Sequence, residues 1–117
     1  MNDFLLDTSA LDRIRALHRG SGSALLRKVI ELYLAESRTL LDSLRFAASA
    51  GDAPGLQWAA HTLKSSSANL GAVELARQCG ELETAARNRA LAGTIEIIQK
   101  IESGHRDVCA ALEREGA

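Results

Sequence analysis

The chain has 117 residues, 46% of them hydrophobic, which suits one modest core and leaves too little for a second folded domain. Lys and Arg total 14 against 15 Asp and Glu, so the net charge of −1 offers no basic field for nucleic acid, and any charge-dependent recognition must be local. Cys79 and Cys109 are the only cysteines and lack Cys-x-x-Cys spacing, and no run of about 18 apolar residues spans a bilayer, so a disulfide framework, a zinc site and a membrane helix are all disfavoured. Met1 to Ala10 lacks the basic start and apolar stretch of a signal peptide. The expectation is one soluble domain over residues 1–117, with a core from about 9 to 113, in a reducing cytoplasm and without membrane contact of its own.

A single proline and the absence of alternating β-branched stretches favour an all-α chain. Ser9 to His18 reads as a short first helix, capped by Thr8 or Ser9 and closed by Gly20-Ser21-Gly22. Ser23 is placed to cap a long second helix, in which Leu26, Val29 or Ile30, Tyr33, Ser37, Leu40, Leu44 and Ala47 form one stripe before Gly51. Asp52 followed by Pro54 opens a third helix, over 54–70, because the carboxylate accepts orphan amide protons and proline tolerates the first turn. Its apolar face is Leu56, Ala59, Ala60, Leu63, Ser67 and Leu70. Gly71 suits a left-handed cap, and Ala72 to about Arg89 resumes as a fourth helix with Leu75, Cys79, Leu82 and Ala86 on one side. After Gly93 a fifth runs from Thr94 to about Glu113 on Ile98, Ile101, Val108 and Leu112, with Gly104 costing about 1 kcal/mol relative to alanine. Four longish helices with short connections and a short leader predict an antiparallel four-helix bundle with an additional N-terminal helix.

On the third helix His61 falls off the apolar face. Gln57, Lys64, Ser65 and Ala68, at offsets of minus four, three, four and seven, give the imidazole a polar, small-residue surround that a partner protein can approach. Reversal of the chain at Gly71 brings a residue ten before the turn against one ten to twelve after it, so His61 is expected near Leu82 and Glu83. Leu82 belongs to the apolar stripe, whereas Glu83 stands beside it. A carboxylate there would accept the Nδ1 proton, set the tautomer and leave Nε2 with a free lone pair. Glu83 and Arg87, four residues apart, satisfy equally well an ordinary intrahelical ion pair worth about 0.3–0.5 kcal/mol. Lys64 can be read as a solvated helix charge or as a partner for phosphoryl oxygens.

The segment from His61 to Ala72, His-Thr-Leu-Lys-Ser-Ser-Ser-Ala-Asn-Leu-Gly-Ala, resembles the signature of histidine-containing phosphotransfer (HPt) domains: a histidine, a lysine three residues on, small residues, then Leu-Gly. Leu82-Glu83 with Arg87 is similar to the Leu-Glu and later Arg of the following family helix; Ser65 departs from a glycine often found after the lysine. The resemblance implies a four-helix bundle that carries a phosphoryl group on His61 and exchanges it with an aspartate of a response-regulator receiver domain in a two-component phosphorelay. One helical turn on from His61, Lys64 is placed to offset phosphate charge and Ser65 to leave steric room, so both are phosphoryl-supporting candidates; Ala68 and Arg87 are candidate surface contacts, as is Gln57, which reads equally as a plain polar surface residue. Trp58, Leu70 and parts of the second helix join these as candidates for receiver docking. The resemblance implies further a phosphocarrier without autonomous catalysis, binding no cofactor or metal itself, with magnesium on the receiver. A hybrid sensor kinase, in cis or in trans, is a second partner class; the domain is then a monomer, cytoplasmic even where the kinase is membrane-bound.

The other histidines lack these surroundings. His18 near a helix end is accounted for by the helix dipole, and His105 lies on the last helix's apolar stripe as a packed or edge residue. Cys79 reads as a small core residue and Trp58 as packed against another helix. An alternative function is a helical docking module for a receiver or kinase that no longer transfers phosphate. A metal-binding bundle would need inward Glu and Glu-x-x-His sets on facing helices, which the sequence lacks.

Overall fold

A computed structural model describes residues 5–17 and 22–116, in which every regular element is an α-helix. These are α1 (Thr8–Ala16), α2 (Gly22–Ala50), α3 (Ala53–Asn69), α4 (Val73–Arg87) and α5 (Thr94–Gly116). Helices α2 to α5 pack as a closed ring in which α3 touches α2 and α4, and α5 touches α4 and α2, while α1 lies on α2. The result is the antiparallel four-helix bundle with a short leading helix that the periodicities predict, elongated at 48 × 25 × 19 Å.

The stripes read from the sequence line the interior. Leu26, Ile30, Leu44, Leu56, Leu63, Leu82, Ile101 and Leu112 are buried in one cluster, each contributing about 1.5–3 kcal/mol through removal from water. A buried polar seam crosses this core. The Tyr33 hydroxyl and Ser67 Oγ are 2.8 Å apart, and Ser37 Oγ lies 2.7 Å from His105 Nε2, which also contacts Cys109 Sγ at 3.3 Å. His105 is thus a satisfied core histidine on the α5 stripe, and Cys79 is buried as expected.

Helix ends show where local rules were overridden. The cap of α1 is Asp7, whose carboxylate accepts from the Ser9 amide and hydroxyl, in place of the expected Thr8 or Ser9, because the helix begins one residue earlier. His18 and the Gly20-Ser21 part of the expected closing turn lie outside the described residues. Helix α2 already includes Gly22, one residue before the anticipated Ser23 cap. Asp52 caps α3 as expected, accepting from the Gly55 amide, with Pro54 in the first turn. Helix α4 stops at Arg87 rather than Arg89, since Arg89 takes the left-handed conformation (φ 56°) that closes a helix end, and α5 runs three residues past Glu113 to Gly116.

The α3–α4 turn positions the site. Gly71 sits at φ 82°, with its amide donating to Ala68 and the Ala72 amide to Ser67, the pair of bonds that terminates a helix on a left-handed residue. The Leu5–Asp7 segment crosses this turn, and the Asp7 amide donates to the Gly71 carbonyl at 2.7 Å. A Cβ on Gly71 would stand 2.3 Å from the Asp7 carbonyl oxygen, so only glycine permits both the turn and the crossing.

Candidate functional site

The first residues of the site come from one helix face. In α3 the residues Leu56, Ala59, Ala60, Leu63 and Ser67 are buried, which turns His61 outward with 58% of its side chain exposed. Ser65 and Ala68, one and two turns on, are exposed; Gln57, one turn back, is half-buried. Lys64, Ser65, Ala68 and Asn69 form one wall of a shallow groove closed from α4 by Val73, Ala76 and Arg77. The side chains at 65 and 68, one and two turns on from His61, are small and leave the helix face beside the imidazole low.

The second contribution comes from α4. Glu83 is one position past the buried Leu82 stripe, and its side chain is only 7% exposed. Its Oε2 accepts from His61 Nδ1 at 2.9 Å and from Arg87 Nη2 at 3.1 Å, while its Oε1 accepts from Lys64 Nζ at 2.6 Å. The two readings of Glu83, imidazole partner and intrahelical ion pair with Arg87, therefore coexist on one oxygen. The Lys64 stem passes across α4 at Gly80, where a Cβ would come within 3.5 Å of Lys64 Cδ.

The electrostatics follow from this arrangement. The Lys64 ammonium, more than any other group, holds the Glu83 carboxyl below its usual range, with His61 adding to the effect and burial opposing it. An ionised carboxylate only accepts hydrogen bonds, so the contact at 2.9 Å assigns the proton to Nδ1. In the neutral ring Nε2 then carries the lone pair and points away from the carboxylate. Lys64 and Arg87 around the one Glu83 carboxylate leave a net charge of one positive unit on these three side chains.

Two expected contacts sit elsewhere. Trp58 does not pack against a neighbouring helix: it is 62% exposed, because α3 meets α2 and α4 through its buried positions and no further helix among the described residues covers its outer face, an exposure that agrees with its other reading as a docking candidate. Leu70 is not a surface contact but 3% exposed in the core cluster with Leu6, which the crossing at Gly71 brings over it. The sequence reading also missed the Lys64–Glu83 pair and the Tyr33–Ser67 and Ser37–His105 hydrogen bonds. Ser37 and Ser67 did carry a signal, as hydroxyls lying within otherwise apolar stripes.

Among the described residues no group of three or more His, Cys, Asp or Glu side chains is arranged to hold a metal ion, and no helix is long and apolar enough to cross a membrane.

Comparison with known proteins gives two findings. The family model described as the Hpt domain matches residues 28–115. The crystal structure of histidine-containing phosphotransfer protein B (HptB) from Pseudomonas aeruginosa PAO1 is similar, with a TM-score of 0.86 and 30% sequence identity over 96% of this chain and 94% of that one. No curated protein sequence matches.

Proposed function

This chain belongs to the Hpt domain family, and on that premise we propose that His61 is the residue that carries its phosphoryl group. Histidine phosphotransfer in phosphorelay signalling is the function of the family, whose members exchange phosphoryl groups with response-regulator receivers. The observation that supports His61 is its exposed ring, held through Nδ1 by a buried carboxylate so that Nε2 presents a lone pair to solvent. His105 is buried against Ser37 and Cys109 and has no such access.

Transfer from a receiver begins with attack of Nε2 on the phosphorus of an aspartyl phosphate. The N–P bond forms as the P–O bond to the aspartate breaks, and the carboxylate leaves with the electron pair. No deprotonating base is required, because neutral Nε2 is already a nucleophile. What this chain supplies is orientation by Glu83 and cationic charge from Lys64 and Arg87; magnesium and the acidic pocket belong to the receiver. The chain is then a phosphocarrier rather than an enzyme, and its partners are a receiver domain and, in cis or in trans, a hybrid sensor kinase in the cytoplasm.

The test uses phosphoramidate as a chemical donor, followed by mapping of the acid-labile label. His61→Gln is expected to abolish acceptance while leaving helicity and melting unchanged, since an exposed side chain contributes little packing. His18→Gln and folded His105→Gln are expected to retain it. Label remaining on His61→Gln would reject the assignment and favour a docking module without phosphotransfer.

A further inference from the structure

We infer that the cleft between α4 and α5 is a binding site for a small zwitterion, an apolar α-amino acid whose ammonium group donates to Gln78 and Asp107 and whose carboxylate meets Lys100. The cleft lies apart from His61 and shares no lining residue with the groove beside Lys64.

Its α5 wall is a single ridge. Lys100, Ser103, Gly104 and Asp107 recur at steps of three and four and so share one face, with Lys100 and Asp107 two turns, about 10 Å, apart. Glu74 and Gln78, one turn apart, face them from α4. The buried Leu75 and Val108 supply an apolar floor, to which Leu5 adds from the N-terminal segment. The volume is about 300 Å³, at the lower end for small-molecule sites.

Two independent observations single out this cleft. Gln78 Oε1 is the one buried side-chain oxygen or nitrogen, among the described residues, that has no hydrogen-bond partner in the protein. An acceptor shut away from water without a donor is costly, so the position calls for an N–H or O–H. The amide is set with Oε1 away from Glu74, because Nε2 donates to Glu74 Oε2 and the reverse would oppose two acceptors. That bond is 3.5 Å long, at the limit of hydrogen bonding, so a small turn of the half-exposed side chain brings Oε1 to a donor in the cleft. The second observation is Gly104, a poor helix former in the interior of α5. A Cβ there would stand 3.2 Å from Gln78 Oε1 and 3.7 Å from Leu75 Cδ1, so the glycine keeps open the space against the orphan acceptor.

The charges select the ligand. Arg77 already occupies both Glu74 oxygens, at 2.9 and 2.7 Å. Lys100 and Asp107 have no ion-pair partner among the described residues. Gly104, which marks the level of Gln78, is four residues after Lys100 and three before Asp107. A cation and an anion therefore flank the orphan acceptor by one turn on either side, above an aliphatic floor. A branched aliphatic amino acid matches all three features, whereas a simple anion or cation meets one end with the wrong charge.

The experiment adds L-leucine to the folded chain, up to about 10 mM, and follows backbone amide shifts by heteronuclear NMR. Saturable shifts confined to residues 74–78 and 100–108 are expected, with half-saturation near about 1 mM. N-acetyl-leucine, which lacks the ammonium, and isoamylamine, which lacks the carboxylate, are each expected to bind at least about tenfold more weakly. Gln78→Met and Asp107→Asn are expected to weaken leucine binding by about the same factor with melting unchanged. Gly104→Ala is expected to abolish it without lowering helicity, since alanine is the better helix former. Shifts that do not saturate, or that map elsewhere, would overturn the inference and leave the cleft a hydrated gap between two helices. An equal response to leucine and isoamylamine would overturn it as well, as would a half-saturation that Gln78→Met does not move.

Discussion

At the scale of single residues, Lys64 departs furthest from its reading as a free cation. Its ammonium is already bound to a buried carboxylate, so a phosphoryl group on His61 competes with Glu83 for it. Lys64→Ala is expected to slow transfer to or from a receiver by about tenfold without removing acceptance, because Arg87 still provides charge beside the ring. The stability loss is expected to be no more than about 1 kcal/mol, since the lysine is itself 36% exposed and solvent screens the pair. Rapid-quench transfer rates and urea midpoints on the same variant separate the two effects. An unchanged transfer rate and phosphohistidine lifetime would reduce Lys64 to a tether for Glu83.

Among the elements, the helix ends show most clearly how backbone geometry positions the site. Gly71→Ala places a β-carbon both on a left-handed backbone and against the Asp7 carbonyl, so a loss of at least about 2 kcal/mol is expected, together with faster hydrogen exchange at the Asp7 amide that now bonds Gly71. At the end of α4 the opposite case holds. Arg89 occupies the left-handed position after Asn88, with its own amide donating to Ala86 and the Ala90 amide to Ala85, a role that glycine fills at lower cost. Arg89→Gly is therefore expected to stabilise the fold by about 0.5–1 kcal/mol in chemical denaturation, and a destabilisation would show that the arginine side chain matters there.

For the whole molecule, two buried groups couple stability to acidity in separate windows. Burial, with Arg38, Arg45 and Arg106 adding to it, pushes the His105 imidazole below its ordinary value, so the folded state binds its proton less readily than the unfolded chain. The stability tied to His105 is complete above about pH 6.5 and declines as pH falls from there through the lowered folded value. Glu83, held low chiefly by Lys64, acts further down: its contribution is present above about pH 4.5 and is lost as pH drops through its depressed folded value. Urea midpoints at about pH 8, 5.5 and 3.5 are expected to show two successive losses. His105→Gln should flatten the first and Glu83→Gln the second, and a first loss undiminished in His105→Gln would assign it to another group.

What the sequence by itself determined was internal to each helix. The 3.6-residue period placed Leu56, Ala59, Ala60 and Leu63 inward and His61 outward, Asp52 with Pro54 marked the start of α3, and Gly71 marked its end. The rough phase across the Gly71 turn was legible as well, which is why Glu83 came into view as a neighbour of His61. The tertiary structure alone decided what depends on the relative packing of separate segments. It gave Lys64 and Arg87 to the same carboxylate as His61, buried Leu70 where Leu5–Asp7 crosses Gly71, and left Trp58 exposed because no other helix among the described residues lies over that side of α3. The physical reason is the range of the interactions: helical periodicity and capping are set by residues within about four positions, whereas the partner of a long side chain is set by whichever helix the closed core brings within about 3 Å.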